Sequence, residues 1–328
     1  MTRVVVFAYH NIGVCGLKKL LGARADVALV VTHDDRGDEN IWFESVRECA
    51  ARSGIPVVAP ADPNSGDFVA SLGTLQPDFL FSFYYRQMLS AAVLACASRG
   101  AYNLHGSLLP EFRGRAPVNW AVIEGATETG VTLHRMDTKP DHGPIVDQER
   151  VPILIDDTAR QVFDKMTLAA GILLDRALPA LFAGTAIETP QDLTRGHYYR
   201  ARTPADGRID WHLPAKRIHD LVRGTTRPYP GAYSQLGHSR LNVWRTSLLD
   251  ITDLSEPDPS AAAPTGPRLF VHRGWVIASC GDGRKLRLLE FDIDGTPCDA
   301  TQFARAFPRG AALVPRQPGE AREPPQTR

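Results

Sequence analysis

Arg3-Val4-Val5-Val6-Phe7-Ala8 is a short β-branched apolar run, Asn11-Ile12-Gly13-Val14-Cys15-Gly16 behind it is turn-like, and Leu17 to Leu21 begins a helical pattern. A strand, a loop and a helix therefore open the chain. The alternation continues with Val27 to Thr32 as strand, Ser45 to Arg52 as helix, and Val57-Val58 and Phe79 to Phe83 as strands. Elements alternating in this way predict an α/β fold, a mostly parallel sheet covered by helices. Such sheets bind ligands beyond the carboxyl ends of their strands.

A helix over Ala159 to Leu181 closes the first half, and the polar segment Thr189 to Gly207 reads as a connection between domains. Short β-rich runs follow: Leu241 to Trp244, Leu269 to Val271, Trp275 to Ser279 and Lys285 to Leu289, separated by Gly, Asp and Pro turns. They predict a small β barrel or sandwich. The stretch 252–267, rich in Pro, Ser and Ala, reads as a surface loop, and the tail 316–328 as disordered. The boundaries expected are 1–203 for a catalytic domain, 204–315 for the β domain and 316–328 for the tail.

The 328 residues carry 37 basic and 37 acidic side chains, so no global charge draws the protein to phosphate backbones or anionic membranes. The length suits two domains. Five scattered cysteines form neither a C-x-x-C pair nor a zinc-type cluster, and read as reduced thiols with no metal site. The opening apolar run is too short for a signal peptide, and no run reaches the about 18 residues that span a bilayer. The expected location is cytoplasmic, without direct membrane insertion. Asn11 to Gly16 lacks G-x-G-x-x-G spacing, and Gly281-Asp282-Gly283 lacks the third glycine, so NAD binding has no support.

Chemistry concentrates in residues 101–146. Asn103 and His105 stand two apart, which on a strand places both on one face while Leu104 points into the core. Gly106 and the turn Ser107 to Pro110 end that strand, so the pair lies at a carboxyl edge. An amide, an imidazole and the downstream carboxylate of Asp141, with no nucleophilic Ser or Cys, suit acyl transfer to an amine. Asn103 can donate to a tetrahedral oxyanion, His105 can donate or shuttle a proton, and Asp141 can orient the imidazole or take the amine's proton. Arg113 and Arg115, flanking Gly114, could hold a diphosphate or carboxylates. Tyr84, Tyr85 and Arg86 follow another strand end and could line a pocket.

Asn103-Leu-His105-Gly-Ser107-Leu-Leu-Pro110, then Arg113-Gly-Arg115-Ala-Pro117, Glu128-Thr-Gly-Val-Thr132 and Asp141-His-Gly143, resemble the 10-formyltetrahydrofolate-dependent formyltransferases. Arg202-Thr203-Pro204, Ile209-Asp210-Trp211 and Pro228-Tyr229-Pro230-Gly231-Ala232 resemble the start of that family's C-terminal OB-like domain. The resemblance implies a Rossmann-like catalytic domain with helices on both faces and an OB-like β barrel behind it. Val6-Phe7-Ala8-Tyr9-His10, Thr32-His33-Asp34, Gly54-Ile55-Pro56-Val57, Phe81-Ser-Phe-Tyr-Tyr-Arg86 and Leu133-His134-Arg135-Met136 resemble the branch that formylates UDP-4-amino-4-deoxy-L-arabinose for lipid A modification and polymyxin resistance.

By that resemblance the catalytic trio is Asn103, His105 and Asp141. The folate contacts fall on Gln87, Met88, Leu89 and Arg115 and on the run Asp137, Thr138, Lys139, Pro140, Asp141. Ser107, Arg113, Tyr84 and Arg202 are the substrate candidates. The co-substrate implied is 10-formyltetrahydrofolate, with no metal and no NAD; the partners are small molecules, a nucleotide sugar and folate, rather than nucleic acid. His142 stands where the branch usually has a small residue, and reads as surface-facing. The branch's NAD-dependent decarboxylase half does not fit within this length, so formylation alone is expected, and a homo-oligomer or a separate decarboxylase partner is left open. Rival acceptors are a dTDP-4-amino-4,6-dideoxyhexose and methionyl-tRNA. The acidic segment Thr32 to Asn40 would repel tRNA phosphates. A non-catalytic folate binder would have no use for all three of Asn103, His105 and Asp141.

Overall fold

The computed structural model describes residues 1–35, 37, 40–249 and 266–313. Chain order in the first half is β1 (Arg3–Ala8), α1 (His10–Gly22), β2 (Asp26–Val31), α2 (Val46–Arg52), β3 (Val57–Val58), α3 (Gly66–Thr74), β4 (Phe79–Phe83), α4 (Ala91–Leu94) and β5 (Gly100–His105). Then come β6 (Arg113–Gly114), α5 (Pro117–Ile123), β7 (Glu128–Arg135), β8 (Ile145–Pro152) and α6 (Ala159–Ala183). The main sheet runs β3-β2-β1-β4-β5-β7-β8. It is parallel as far as β5, and β7 and β8 pair antiparallel at its far edge.

Both faces of this sheet are covered, which is why β1 reads as continuously apolar. Val4, Val6 and Ala8 join the core beneath α1, α2 and α6, whereas Val5 and Phe7 join the core beneath α3 and α4. Ser45 caps α2 and Ser65 caps α3, each through its hydroxyl. The turn-like reading of Asn11 to Gly16 is corrected: α1 begins at His10 and contains the whole segment. Its glycines serve close packing. A Cβ on Gly16 would lie 2.3 Å from the Phe83 ring, and one on Gly13 would lie 3.0 Å from Val46 Cγ2. Helix α6 packs on α1 and β8; by length and composition it is apolar enough to cross a membrane, and half of that window is buried inside the protein.

The second half continues with β9 (Tyr198–Tyr199), a 3₁₀ turn at Pro204–Gly207, α7 (Ala215–Thr225), β10 (Ala232–Leu236), β11 (Ser239–Leu248), β12 (Arg268–His272), β13 (Trp275–Ser279) and β14 (Lys285–Ile293). It ends with β15 (Thr296–Pro297), α8 (Ala300–Ala306) and β16 (Ala311–Ala312). The order β10-β11-β14-β13-β12-β16 forms an antiparallel, nearly closed barrel-like sheet. Helix α7 ties it to the first half: Ile218, Leu221 and Val222 share a core with Trp120 and Ile123 of α5, and Asn119 Nδ2 donates to the Gly224 carbonyl at 2.9 Å. The stretch read as a polar connection is built in rather than loose, since β9 pairs with β6. All five cysteines are free thiols. The loop expected at 252–267, all but its last two residues, and the tail 316–328 lie outside the described residues.

Candidate active site

The strand order places a topological switch point between β1 and β4, and a cavity of about 1380 Å³ opens there. The chain leaving β1 supplies Tyr9 and His10, the chain leaving β4 supplies Tyr84 to Leu89, and β5 delivers Asn103, His105 and Gly106. Asn103 and His105 line the cavity, as strand periodicity required, while Leu104 also borders it but is 1% exposed and packs in the sheet core.

His105 Nε2 lies 3.1 Å from the Phe112 carbonyl oxygen, an acceptor, so this nitrogen carries a proton. Nδ1 is then the nitrogen that can exchange a proton with Asp141 Oδ1, 3.3 Å away. The carboxylate is held from its other side. Asp141 Oδ2 accepts the Gly114 N–H at 2.8 Å, and Asp141 itself sits in a left-handed conformation, φ 58°. That backbone is uncommon outside glycine, and aspartate, like asparagine and histidine, adopts it more readily than other side chains.

The sequence pattern did not single out His134 as a site residue. β7 pairs antiparallel with β5 so that His134 stands directly opposite Asn103. His134 Nδ1 donates to the Arg135 carbonyl at 2.9 Å, which leaves Nε2 to accept from Asn103 Nδ2 at 3.1 Å. Burial lowers the His134 pKa from its ordinary 6.5, against the upward pull of Asp141, so the ring remains a neutral acceptor. One Asn103 amide proton is thus fixed and the second is left for a ligand. The signal available in sequence was the alternation Thr132-Leu133-His134, which puts His134 on the polar face of its strand.

Other expected residues divide. Gln87, Met88, Leu89, Arg115, Asp137, Thr138, Lys139 and Pro140 all line the cavity with Asp141, and so does Tyr84. Ser107 does not: it is 0% exposed, its hydroxyl donates to the Glu111 carbonyl at 2.5 Å and its carbonyl accepts from Thr132 at 2.6 Å. It is a turn residue. Arg113 is likewise off the cavity and 2% exposed, because pairing of β6 with β9 turns it inward, where Nη2 donates to the carbonyls of Leu193 and Arg195 at 3.3 Å each. Arg202 lies outside the lining, its guanidinium carbon 6.0 Å from the centre of the Tyr229 ring, with burial pulling its pKa down. His142 is half-buried and also off the cavity.

A wall of aromatic rings completes the cavity. His10 stacks on Phe43 at 4.0 Å and meets Trp42 and Phe163 edge-on at 4.4 and 4.5 Å. Burial, with Arg86 and Arg160 nearby, lowers His10 to about 3, so it is neutral. Its Nδ1 and the Tyr84 hydroxyl are buried without a protein partner. Tyr84 Oη reaches the end of β5: a Cβ on Gly106 would lie 2.0 Å from it. Of the acidic loop read as hostile to tRNA, Asp34 pairs with Arg47 and Asp35 accepts from Tyr9, while positions 36, 38 and 39 lie outside the described residues. Among the described residues no three His, Cys, Asp or Glu side chains gather as a metal-holding group.

Residues 6–178 match the family model described as formyl transferase, and residues 202–308 match the model of the formyl transferase C-terminal domain. The chain belongs to the formyl transferase family. It is therefore an enzyme that transfers formyl groups. Solved structures agree in fold. An N-formyltransferase from Helicobacter canadensis, determined with folinic acid and dTDP-3-aminofucose, is 18% identical with a TM-score of 0.66, over 88% of this chain and 99% of that one. WlaRD, a sugar 3N-formyl transferase determined with dTDP and 5-N-formyl-THF, is 20% identical with the same TM-score, over 88% and 97%. A sugar N-formyltransferase from Shewanella is 19% identical with a TM-score of 0.60, over 74% and 96%.

Proposed function

We propose that this formyl transferase moves the formyl group of 10-formyltetrahydrofolate onto the 4-amine of UDP-4-amino-4-deoxy-L-arabinose. The observation that carries the transfer chemistry is the convergence of Asn103, His105 and Asp141 on one cavity wall, with His105 Nδ1 3.3 Å from Asp141 Oδ1. The cavity volume supports a reaction between two bound molecules, since about 1380 Å³ exceeds the roughly 300–1,000 Å³ of a pocket for one small ligand. The donor would lie along Gln87 to Leu89 and Asp137 to Asp141, whose backbone can meet the folate's polar edge, and the acceptor along the aromatic wall.

The neutral amine of the sugar attacks the formyl carbon, forming a C–N bond and a tetrahedral oxyanion. Asn103 donates its second amide proton to that oxygen, and such a donor is typically worth about 3 kcal/mol. The proton lost by the attacking nitrogen passes through the His105–Asp141 pair to the folate nitrogen, which leaves as a weakly basic, aniline-like amine when its bond to the formyl carbon breaks. Nothing in this sequence of bonds needs a second nucleophile.

The UDP-pentose reading rests on the local sequences around Phe7 to His10, Thr32 to Asp34 and Phe81 to Arg86, while the structural neighbours, determined with dTDP ligands, support the coarser reading of a nucleotide amino sugar as acceptor. The test is formyl transfer from 10-formyltetrahydrofolate by the purified protein, read as the mass gain of one formyl group. Preference for UDP-4-amino-4-deoxy-L-arabinose over dTDP-amino sugars and methionyl-tRNA is expected. Preference for a dTDP sugar would overturn the acceptor, and activity on tRNA alone would overturn the sugar reading.

A further inference from the structure

The connector between the two domains does more than span them. Glu188 near its start is gripped by Arg135 through Nε and Nη2, each at 2.7 Å, and by the Tyr102 hydroxyl at 2.8 Å. Thr189 exchanges two backbone hydrogen bonds of 2.8 Å with Ile145. Gln191 Nε2 then donates to the carbonyl oxygens of Asp141 at 3.0 Å and of Gly143 at 2.6 Å. Further along, the Leu193 and Arg195 carbonyls accept from Arg113, His197 O accepts the Arg113 N–H, and Tyr199 O accepts the Arg115 N–H.

Both groups that hold the catalytic carboxylate in place are therefore reached by this one segment. The Asp141 backbone, in its left-handed conformation, is pinned by Gln191. The Gly114 N–H that grips Oδ2 belongs to the β6 strand, which the segment clamps on both sides through Arg113 and Arg115. A carboxamide is the group this requires: two carbonyl oxygens converge on one nitrogen, so the residue must offer two N–H donors at the end of a side chain of this length.

We propose that Gln191 is a positioning residue for formyl transfer, acting through Asp141 by holding that residue's left-handed backbone so that its carboxylate stays aligned on His105. The role rests on the reading of Asp141 as part of the transfer chemistry. Gln191 is absent from the cavity lining, so it touches neither reactant, and its removal acts on turnover rather than on binding.

The experiment compares wild type with Gln191→Ala, Gln191→Glu and Asp141→Asn in formyl transfer, with thermal unfolding of each. Gln191→Ala is expected to lower kcat about tenfold or more while both KM values stay within about twofold, because a loosened carboxylate is misplaced rather than lost. Gln191→Glu turns a donor into an acceptor facing two carbonyls, and regains one donor when its carboxyl is protonated. Its activity relative to wild type therefore rises as pH falls toward the carboxyl range, a response that a merely structural role would not give. Unchanged kcat in Gln191→Ala, or KM values rising in step with a loss of folding, would overturn the proposal. An inactive Asp141→Asn beside an unimpaired Gln191→Ala overturns the brace alone. An active Asp141→Asn overturns the catalytic role and the brace together.

Discussion

Gly143→Ala tests how finely the Asp141 loop is set. A Cβ on Gly143 would lie 1.9 Å from the Arg135 carbonyl oxygen and 2.9 Å from its carbon, where ordinary contact begins at 3.4 Å. The shortfall of about 1.5 Å is against backbone, so no side-chain rotation can absorb it. Arg135 cannot easily yield, because its carbonyl accepts from His134 Nδ1, its N–H donates to the Pro144 carbonyl and its guanidinium is bound to Glu188. The loop carrying Asp141, two residues away, is the part that moves. His105 Nδ1 and Asp141 Oδ1 are 3.3 Å apart, so a shift of a fraction of that shortfall takes them beyond hydrogen-bond range. A misplacement of about 1 Å at a reacting group costs on the order of 100-fold in rate. We expect kcat to fall about 100-fold and stability by about 1–3 kcal/mol, measured by single-acceptor formyl transfer and by denaturant unfolding. A variant that folds and keeps kcat within about threefold of wild type would refute the idea that loop position limits the reaction.

His134→Ala removes the acceptor that fixes the Asn103 amide, so kcat is expected to fall about tenfold or more, short of the about 10²–10³-fold loss expected for Asn103→Ala; equal losses or none in steady-state assays would show that His134 does not orient Asn103. Tyr84→Phe deletes a buried hydroxyl that has no protein partner, so the unfolding midpoint should hold or rise, while KM for the formyl acceptor rises if the hydroxyl meets it. A raised folate KM with an unchanged acceptor KM would place Tyr84 on the other reactant. For pH, His10 falls from 6.5 to about 3 on folding, so its contribution is complete above the ordinary value and is lost as pH drops through the interval between the two. From pH 7 to 5.5 that amounts to about 1 kcal/mol, and His134 and His219, also lowered by burial, act in the same direction. Thermal unfolding of His10→Asn, a residue that tolerates the φ of 69° here, should depend less on pH than wild type; an identical slope would remove His10 from the account.

The fold was legible where burial and period agree. β1, β2 and β4 read as apolar runs because helices cover both faces, and β13 matched its expected Trp275 to Ser279. The first helix was shortened in the reading because Gly13 and Gly16 carry turn propensity. Their actual task is to let the helix approach Phe83 and Val46, a packing demand that no local pattern encodes. Helix α7 was missed for a related reason. Its buried set includes Asp220 and Arg223, which satisfy each other and the carbonyls of Leu154 and Asp157, so polar letters stand at core positions.

At the site the same distinction applies between what neighbours in sequence reveal and what only neighbours in space reveal. Asn103 and His105 are two apart on one strand, so periodicity alone put them on one face. Arg113 and Arg115 are also two apart, yet they part company, because Gly114 between them adopts φ 99° and the strand alternation that would align them is broken. Arg113 then becomes an anchor for the connector, while Arg115 reaches the cavity. His134 is 31 residues from Asn103 and Gln191 is 50 from Asp141, and what joins each pair is strand register or a strap laid across the sheet edge. The groups proposed to meet the reacting atoms stand out by their own chemistry, whereas the groups proposed to aim them are ordinary residues made specific by topology. It follows that changing Gln191, which lies off the cavity, should alter turnover with little effect on binding, whereas changing cavity-lining residues such as Tyr84 or Gln87 should alter which molecules are held.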